Sequence, residues 1–331
     1  GRDFVAVNGT DTMRFIRVAR LALIPIALLG TWICFRWTKE IVIRWNVAEV
    51  GPKVHRQAEI GALIAAILWA FDPLVLGHAA MISPDAHAAS LGLLACYSFW
   101  RWLTFPTMWK SIFAGLMLGL ALAAKITLAI LCPIWLLSWA CFRLWTYRLV
   151  SWRSCAAELG MFVSCFVISL YCLNLAYVGE DVFRPIGEFR FVSNLLTKQA
   201  DFDLEGDNRF RDGVFSRVRL PLPANFLIGI DVQQRDFEIR RRASYLRGEF
   251  RKSGWWYYYI YALLVKTPVG SIGLILLAVC VGLIRVFSRV LKRHRDRPLR
   301  FDLLYVLAPA IVILGVGSIK SGLNEHLRYM L

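Results

Sequence analysis

Residues 77–87, GHAAMISPDAH, set one carboxylate, Asp85, among two imidazoles, His78 and His87, in a short polar stretch flanked by long apolar runs. Such a set can orient a base, hold a hydroxyl or pass a proton. Farther along, Lys125 interrupts GLMLGLALAAKITLAILCP, and Glu325, His326 and Arg328 stand together in NEHLRYML. A fixed ammonium or guanidinium at such a place suits a phosphate. Each residue also has a plain structural reading. Ser83 and Asp85 are good caps for a helix opened by Pro84, the histidines can pack or cap, Lys125 can mark a turn and snorkel, and Arg328 can anchor an interface. Asp72, followed by Pro73 inside an apolar run, has the same two sides: an intramembrane acid facing a cavity, or a side chain satisfying backbone groups freed at a kink.

The elements that would position these residues follow from composition. Of 331 residues, 58% are hydrophobic and thirteen are Trp, and the mean hydropathy is +0.53. That lies outside the range of ordinary soluble domains and indicates an integral membrane protein. Windows of about 18–20 apolar residues can cross a hydrocarbon core of roughly 30 Å as helices, and they fall at about 17–35, 58–80, 86–103, 109–124, 126–145, 157–177, 269–287 and 302–318. The expected fold class is therefore an all-α, multi-span helical bundle of about eight spans. Alternating β-barrel patterning is absent. The lack of an initiating Met and the apolar run beginning at RYML suggest a fragment of a longer chain.

A net charge of +16 raises the question of nucleic acid, but the placement of the charge answers differently. The stretches 36–57, 101–110, 143–153 and 285–300 carry 5, 2, 3 and 7 Lys/Arg, whereas the alternate connections 81–87, Lys125 and 319–331 carry three together. This is the positive-inside pattern. The basic run 285–300 then reads as a cytoplasmic anchor touching anionic lipid, and no nucleic-acid partner is expected. The same parity puts 77–87, Lys125, 178–267 and 319–331 on the outer side.

Three regions result: 1–177 with six spans, 178–267 as an outer segment, and 268–331 with the remaining spans. The outer segment should supply short helices packed over the outer ends of the spans. Within it, the run 254–268, GWWYYYIYALLVKTP, has the Trp and Tyr of an interfacial helix. No GxGxxG, P-loop, HExxH or GxSxG motif occurs. The eight cysteines lie in or beside apolar spans without metal-ligand spacing and read as small core residues.

The stretches AFDPLVLGHAAMISPDAHAASLGLLACYSFWRWL, GLMLGLALAAKITLAILCP, SYLRGEFRKSGWWYYYIYALLVKTPVG and NEHLRYML, in this order and spacing, resemble the polyprenol-phosphate-dependent membrane glycosyltransferases of the GT-C superfamily. Protein O-mannosyltransferases and the aminoarabinose transferase of lipid A belong there. The resemblance implies an inverting transfer of a hexose or pentose from a polyprenyl-phosphate donor to a protein or lipid acceptor at the outer face. It implies a plasma (inner) membrane location if the source is bacterial. It also implies that the catalytic acid lies in a first outer loop upstream of Gly1. By position Asp85 matches the acid of the second outer loop, Lys125 the basic turn near the donor phosphate, and Arg328 the arginine before a later helix. His87, Glu325 and His326 join them as candidate substrate-binding residues, with Asp85 as a candidate catalytic acid. The resemblance fixes no cofactor with certainty, and a divalent metal ion stays open. The alternative is a multi-span transporter, which would place polar residues near the midplane on broken helices in repeated halves; no repeat is visible here. A third reading is a non-catalytic membrane scaffold.

Overall fold

The computed structural model describes residues 2–46, 51–146, 152–197, 207–238, 244–251, 254–290 and 297–319. Its helices are α1 (Arg2–Asn8), α2 (Thr12–Trp45), α3 (Pro52–Ala70), α4 (Pro73–Ala79), α5 (Pro84–Thr104), α6 (Met108–Ala124), α7 (Leu131–Thr146), α8 (Trp152–Ala176), α9 (Ala224–Glu238), α10 (Tyr258–Lys266), α11 (Val269–Val290) and α12 (Arg297–Ile319). A 3₁₀ turn, Ile126–Ile130, leads into α7. The strands β1 (Ser244–Leu246) and β2 (Glu249–Arg251) form an antiparallel hairpin.

Proline sets much of the punctuation. α3, α4 and α5 each carry Pro at the first helical position, behind Gly51, Asp72 and Ser83. Pro has no N–H to lose there, and its fixed φ suits a helix start. At the second of these breaks the chain turns by 57° between α3 and α4. Asp72 Oδ1 accepts from the N–H of Leu74 at 2.9 Å and of Val75 at 3.1 Å. Of its two sequence readings, the structure shows the one in which the acid satisfies freed backbone donors.

Four helices are long and apolar enough to cross a membrane: Asp3–Trp45, Ile126–Leu144, Cys155–Ala176 and Phe301–Ser318. The count is up to six if the bent pairs α3/α4 and α10/α11 each form one span. Among the described residues the structure thus supports four to six of the expected eight. α6 is 17 residues long, and α5 carries Asp85, His87, Tyr97, Ser98 and Arg101, which lower its apolarity. α5 tolerates the first four of these because it meets protein rather than lipid: fifteen of its residues are buried, Asp85, His87, Tyr97 and Ser98 among them. The basic stretch 36–57 is also not one connection, since α2 stays helical to Trp45 and α3 starts at Pro52. At 34 residues α2 is about 51 Å long, which exceeds the hydrocarbon thickness and puts Arg36, Lys39 and Arg44 on helix. α10 turns 112° from α11 at Thr267–Pro268, and Tyr259 and Ala262 pack it against Leu74 and Leu314.

The core gathers around α5. Phe99 stacks on Trp135 of α7 with ring centroids 4.2 Å apart, Trp102 lies 5.9 Å from Phe162 of α8, and Tyr305 of α12 donates to Cys96 O at 2.9 Å. α6 and α8 approach closely through small residues. A Cβ at Gly115 would stand 2.4 Å from Cys165 O, and one at Gly119 2.5 Å from Cys172 Cβ, as in the small-xxx-small seams that let membrane helices touch.

The described residues between 178 and 238 have a small core of their own, Phe189, Phe191 and Ala224. Bridges pair Pro185 with Arg219 and Phe191 with Asp207, and fully buried Asn208 donates to the carbonyls of Ile186 and Phe189. The segment sits on the bundle through Phe226, which reaches Tyr177 at 6.2 Å, and through Asn174 Nδ2, which donates to Pro221 O.

Candidate functional site

Asp85 stands in the first turn of α5, where the helix start favours a negative charge. Lys125 ends α6 in extended backbone (φ −155°, ψ 121°) and caps the 3₁₀ turn that follows. The two meet: Lys125 Nζ lies 2.9 Å from Asp85 Oδ1, with side-chain exposures of 14% and 9%. Lys125, expected from sequence as an interfacial cation between two apolar runs, is therefore enclosed and paired. An ammonium has three donors on a flexible stem, so contact with Asp85 leaves donors for a second anion.

Of the two histidines, His78 joins this pair and His87 stands on another side of the same helix start. His78 Nδ1 lies 3.7 Å from Asp85 Oδ2, close enough to pair when protonated and too far to hydrogen-bond. His87 Nδ1 is 2.9 Å from Ser83 O. A carbonyl only accepts, so Nδ1 carries the hydrogen there, and the other nitrogen of the neutral ring is a bare acceptor. That nitrogen, Nε2, is buried without a partner, as are Ser83 Oγ and His78 Nδ1. Three unpartnered polar atoms around one helix start are costly in an unliganded protein, about 1–3 kcal/mol each. They are what a hydroxyl-bearing ligand would satisfy.

Asp85, Ala89, Gly92, Leu93 and Cys96 follow one another at helical spacing, so they share one face of α5. From Ala89 onward this face lines an apolar groove of about 390 Å³ among α2, α3, α5, Leu128, Leu131 and α12. Gly92 keeps it open, because a Cβ there would come within 3.1 Å of Leu128 Cδ2. The polar cluster and the groove are thus two stretches of one helix face. α9 packs over the same end, with Gly229 beneath Ile126 Cδ1, next to Lys125.

Of the sequence candidates the structure brings together Asp85 and Lys125, with His78 beside the carboxylate; His87, two residues on from Asp85 and so about 200° round α5, meets the carbonyl of Ser83 instead. Glu325, His326 and Arg328 lie outside the described residues. Among the described residues no group of three or more His, Cys, Asp or Glu side chains could hold a metal ion.

A second polar group, at the other end of α5, was not singled out in the sequence. Fully buried Asp302 of α12 accepts from Trp100 Nε1 at 2.8 Å and Trp45 Nε1 at 3.3 Å, with Arg44 Nε at 3.3 Å. Glu40 accepts from Tyr97 Oη at 2.6 Å. The signal was available: both acids stand at the edge of apolar runs, where a carboxylate needs a partner.

Comparison of the chain with protein-family models, with curated proteins and with solved structures finds no match.

Proposed function

We propose that the chain is a membrane glycosyltransferase that takes a sugar from a polyprenyl-phosphate donor and passes it, with inversion, to a protein or lipid acceptor at the outer face. The observation that carries this reading is the continuity of one face of α5 from the Asp85–Lys125 cluster into the apolar groove. A polyprenyl phosphate has that same plan, an anionic head joined to a long apolar chain. Lys125, held by Asp85, meets the phosphate with its remaining donors and stabilises the charge that grows on it as the glycosidic bond breaks. His87 Nε2 and Ser83 Oγ take sugar hydroxyls. Arg328 belongs to the same reading by resemblance, as the second cation, and Glu325 and His326 by their place beside it in the sequence. In this topology α5 and α6 cross as part of an eight-span bundle, with α9 over the outer ends, in the plasma membrane if the source is bacterial.

Two broken helix pairs favour a second reading, a transporter, since transporters bind substrates at half-helix ends. At the first break, however, Asp72 already accepts from two of the N-terminal donors of α4, and the Asp85–Lys125 pair lies at a helix start rather than along the middle of a span.

The test measures sugar transfer from a polyprenyl-phosphate donor by the full-length protein in nanodiscs. Lys125→Arg keeps a cation against Asp85 and should fold as the parent does, yet transfer more slowly, because a planar fork replaces a compact ammonium. Lys125→Ala should lose about 10²–10³-fold in rate, as for removal of one oxyanion donor. Parent-rate transfer by both variants would overturn the assignment. Donor-independent uptake of a solute that both variants abolish would favour the transporter.

A further inference from the structure

The opposite end of α5 carries a second charged chamber. A cavity of about 330 Å³ lies among the last turns of α2 and α5 and the first turn of α6, and its charged lining sets Arg44, Arg101 and Lys110 against one carboxylate, Glu40. That carboxylate is already engaged by Tyr97 Oη at 2.6 Å and Arg36 Nη2 at 3.2 Å, with Arg101 Nε at 3.7 Å. Arg44 points Nε at Asp302, but its Nη1 is buried without a hydrogen-bond partner. Lys110 Nζ donates to Phe105 O at 3.0 Å and stands 5.2 Å over the Phe105 ring. The chamber therefore has an excess of positive charge and donors in search of an acceptor.

Its surroundings indicate what kind of anion. The turn that joins α5 to α6 exposes Phe105 (68%), Met108 (51%) and Trp109 (80%), and aromatic side chains of this kind settle at the headgroup level of a bilayer. Sixteen residues of α5 separate Arg101 from Asp85, about 24 Å of helix rise, so this chamber is at the far side of the bundle from the Asp85 cluster. Basic pockets between helices at this depth are suited to phospholipid head groups. Guanidinium groups match phosphate oxygens in pairs.

We propose that the cavity lined by Glu40, Arg44, Arg101 and Lys110 binds the phosphate of an anionic phospholipid, whose acyl chains leave past Phe105 and Trp109. A zwitterionic head group is disfavoured because its ammonium would face the same three cations. The site is independent of the sugar-transfer reading and stands or falls without it.

The experiment uses the delipidated chain in detergent, titrated in separate arms with dioleoyl phosphatidylglycerol, dioleoyl phosphatidylcholine and inorganic phosphate, with lipid retention read by native mass spectrometry. The parent should retain one phosphatidylglycerol and release phosphatidylcholine. Arg101→Gln/Lys110→Gln should weaken phosphatidylglycerol retention at least tenfold, whereas Lys53→Gln/Arg56→Gln, which removes two cations from the start of α3, should retain it as the parent does. Lys110→Gln alone, which touches only the Phe105 turn, should give part of the loss and keeps the test open if the double variant melts early. Equal retention by the parent and the Arg101/Lys110 variants overturns the site. Equal loss in both double variants shows attraction by overall charge and overturns it too. Protection by inorganic phosphate without lipid retention would make it a free-phosphate site and overturn the lipid assignment.

Discussion

At one end of α5 the carboxylate of Asp85 faces a single ammonium, while at the other Asp302 is gripped by two indoles and a guanidinium. The donors differ in what they can do next. An indole N–H points one way from its ring, and Trp100, buried in the core, cannot share its hydrogen with a newcomer without moving that core. Lys125 can swing two of its three donors to another anion while the third stays on Asp85. Rigid donors around Asp302 therefore make a latch that ties α12 to α2 and α5, and the flexible donor on Asp85 makes an adjustable contact beside a groove.

The largest effect should come from breaking the latch. Asp302→Ala leaves Arg44 without its carboxylate and two indole N–H groups unsatisfied, and breaking a buried ionic group in this way costs about 3–5 kcal/mol. Thermal unfolding in detergent should show a large drop. Asp302→Asn, which keeps an acceptor for the indoles, should lose less. Melting of Asp302→Ala at the parent temperature would erase the distinction between the two ends.

The next effect tests the adjustable contact on stability rather than activity. Lys125→Ala leaves Asp85 enclosed and uncompensated, so adding Asp85→Asn should restore part of the loss, a coupling of about 1–3 kcal/mol in a double-mutant cycle. Strict additivity would mean that Lys125 is not bound to Asp85 in the folded protein.

Sequence reading located Asp85, His87 and Lys125 because they interrupt apolar runs, and the alternation of charge placed them at one end of the bundle. It missed Asp302 and Glu40, since a window count treats an acid at the edge of a run as boundary rather than as content. Its eight windows exceed the four to six candidate spans among the described residues for a related reason. Hydropathy cannot tell a helix wrapped in protein from one facing lipid, and α5, the most enclosed helix, is less apolar than the four that meet the length and hydropathy needed to cross. The continuity of cluster and groove was half legible: the spacing from Asp85 to Cys96 is in the sequence, but the helices that close the groove come from far along the chain. The unpartnered atoms of His87, His78 and Ser83 were not legible, because a missing partner is a fact of three dimensions.

The region between α8 and β1 offers a third way to hold a carboxylate, and with it the smallest predicted effect. Asp231 and Glu238, two turns apart on α9, receive four successive backbone donors: Val192 N at 2.6 Å and Ser193 N at 3.0 Å on Asp231, then Asn194 N at 2.6 Å and Leu195 N at 3.3 Å on Glu238. Neither acid meets a cation in these contacts, so each acts as a clasp on the 192–195 turn. Burial separates them, because Asp231 is 1% exposed and Glu238 is open enough for water to replace it. Asp231→Ala should then cost about 1–3 kcal/mol, the penalty for orphaning buried donors, and Glu238→Gln only a fraction of that. The loss should stay local. Amides of 192–197 should exchange faster with solvent in Asp231→Ala, by roughly tenfold for each 1.4 kcal/mol, while those of α5 keep the parent rate because the clasp joins only the 192–195 turn and α9. Exchange that rises equally in α5 would show that the segment and the bundle unfold as one unit, and the contrast between rigid latch, adjustable pair and local clasp would reduce to two designs.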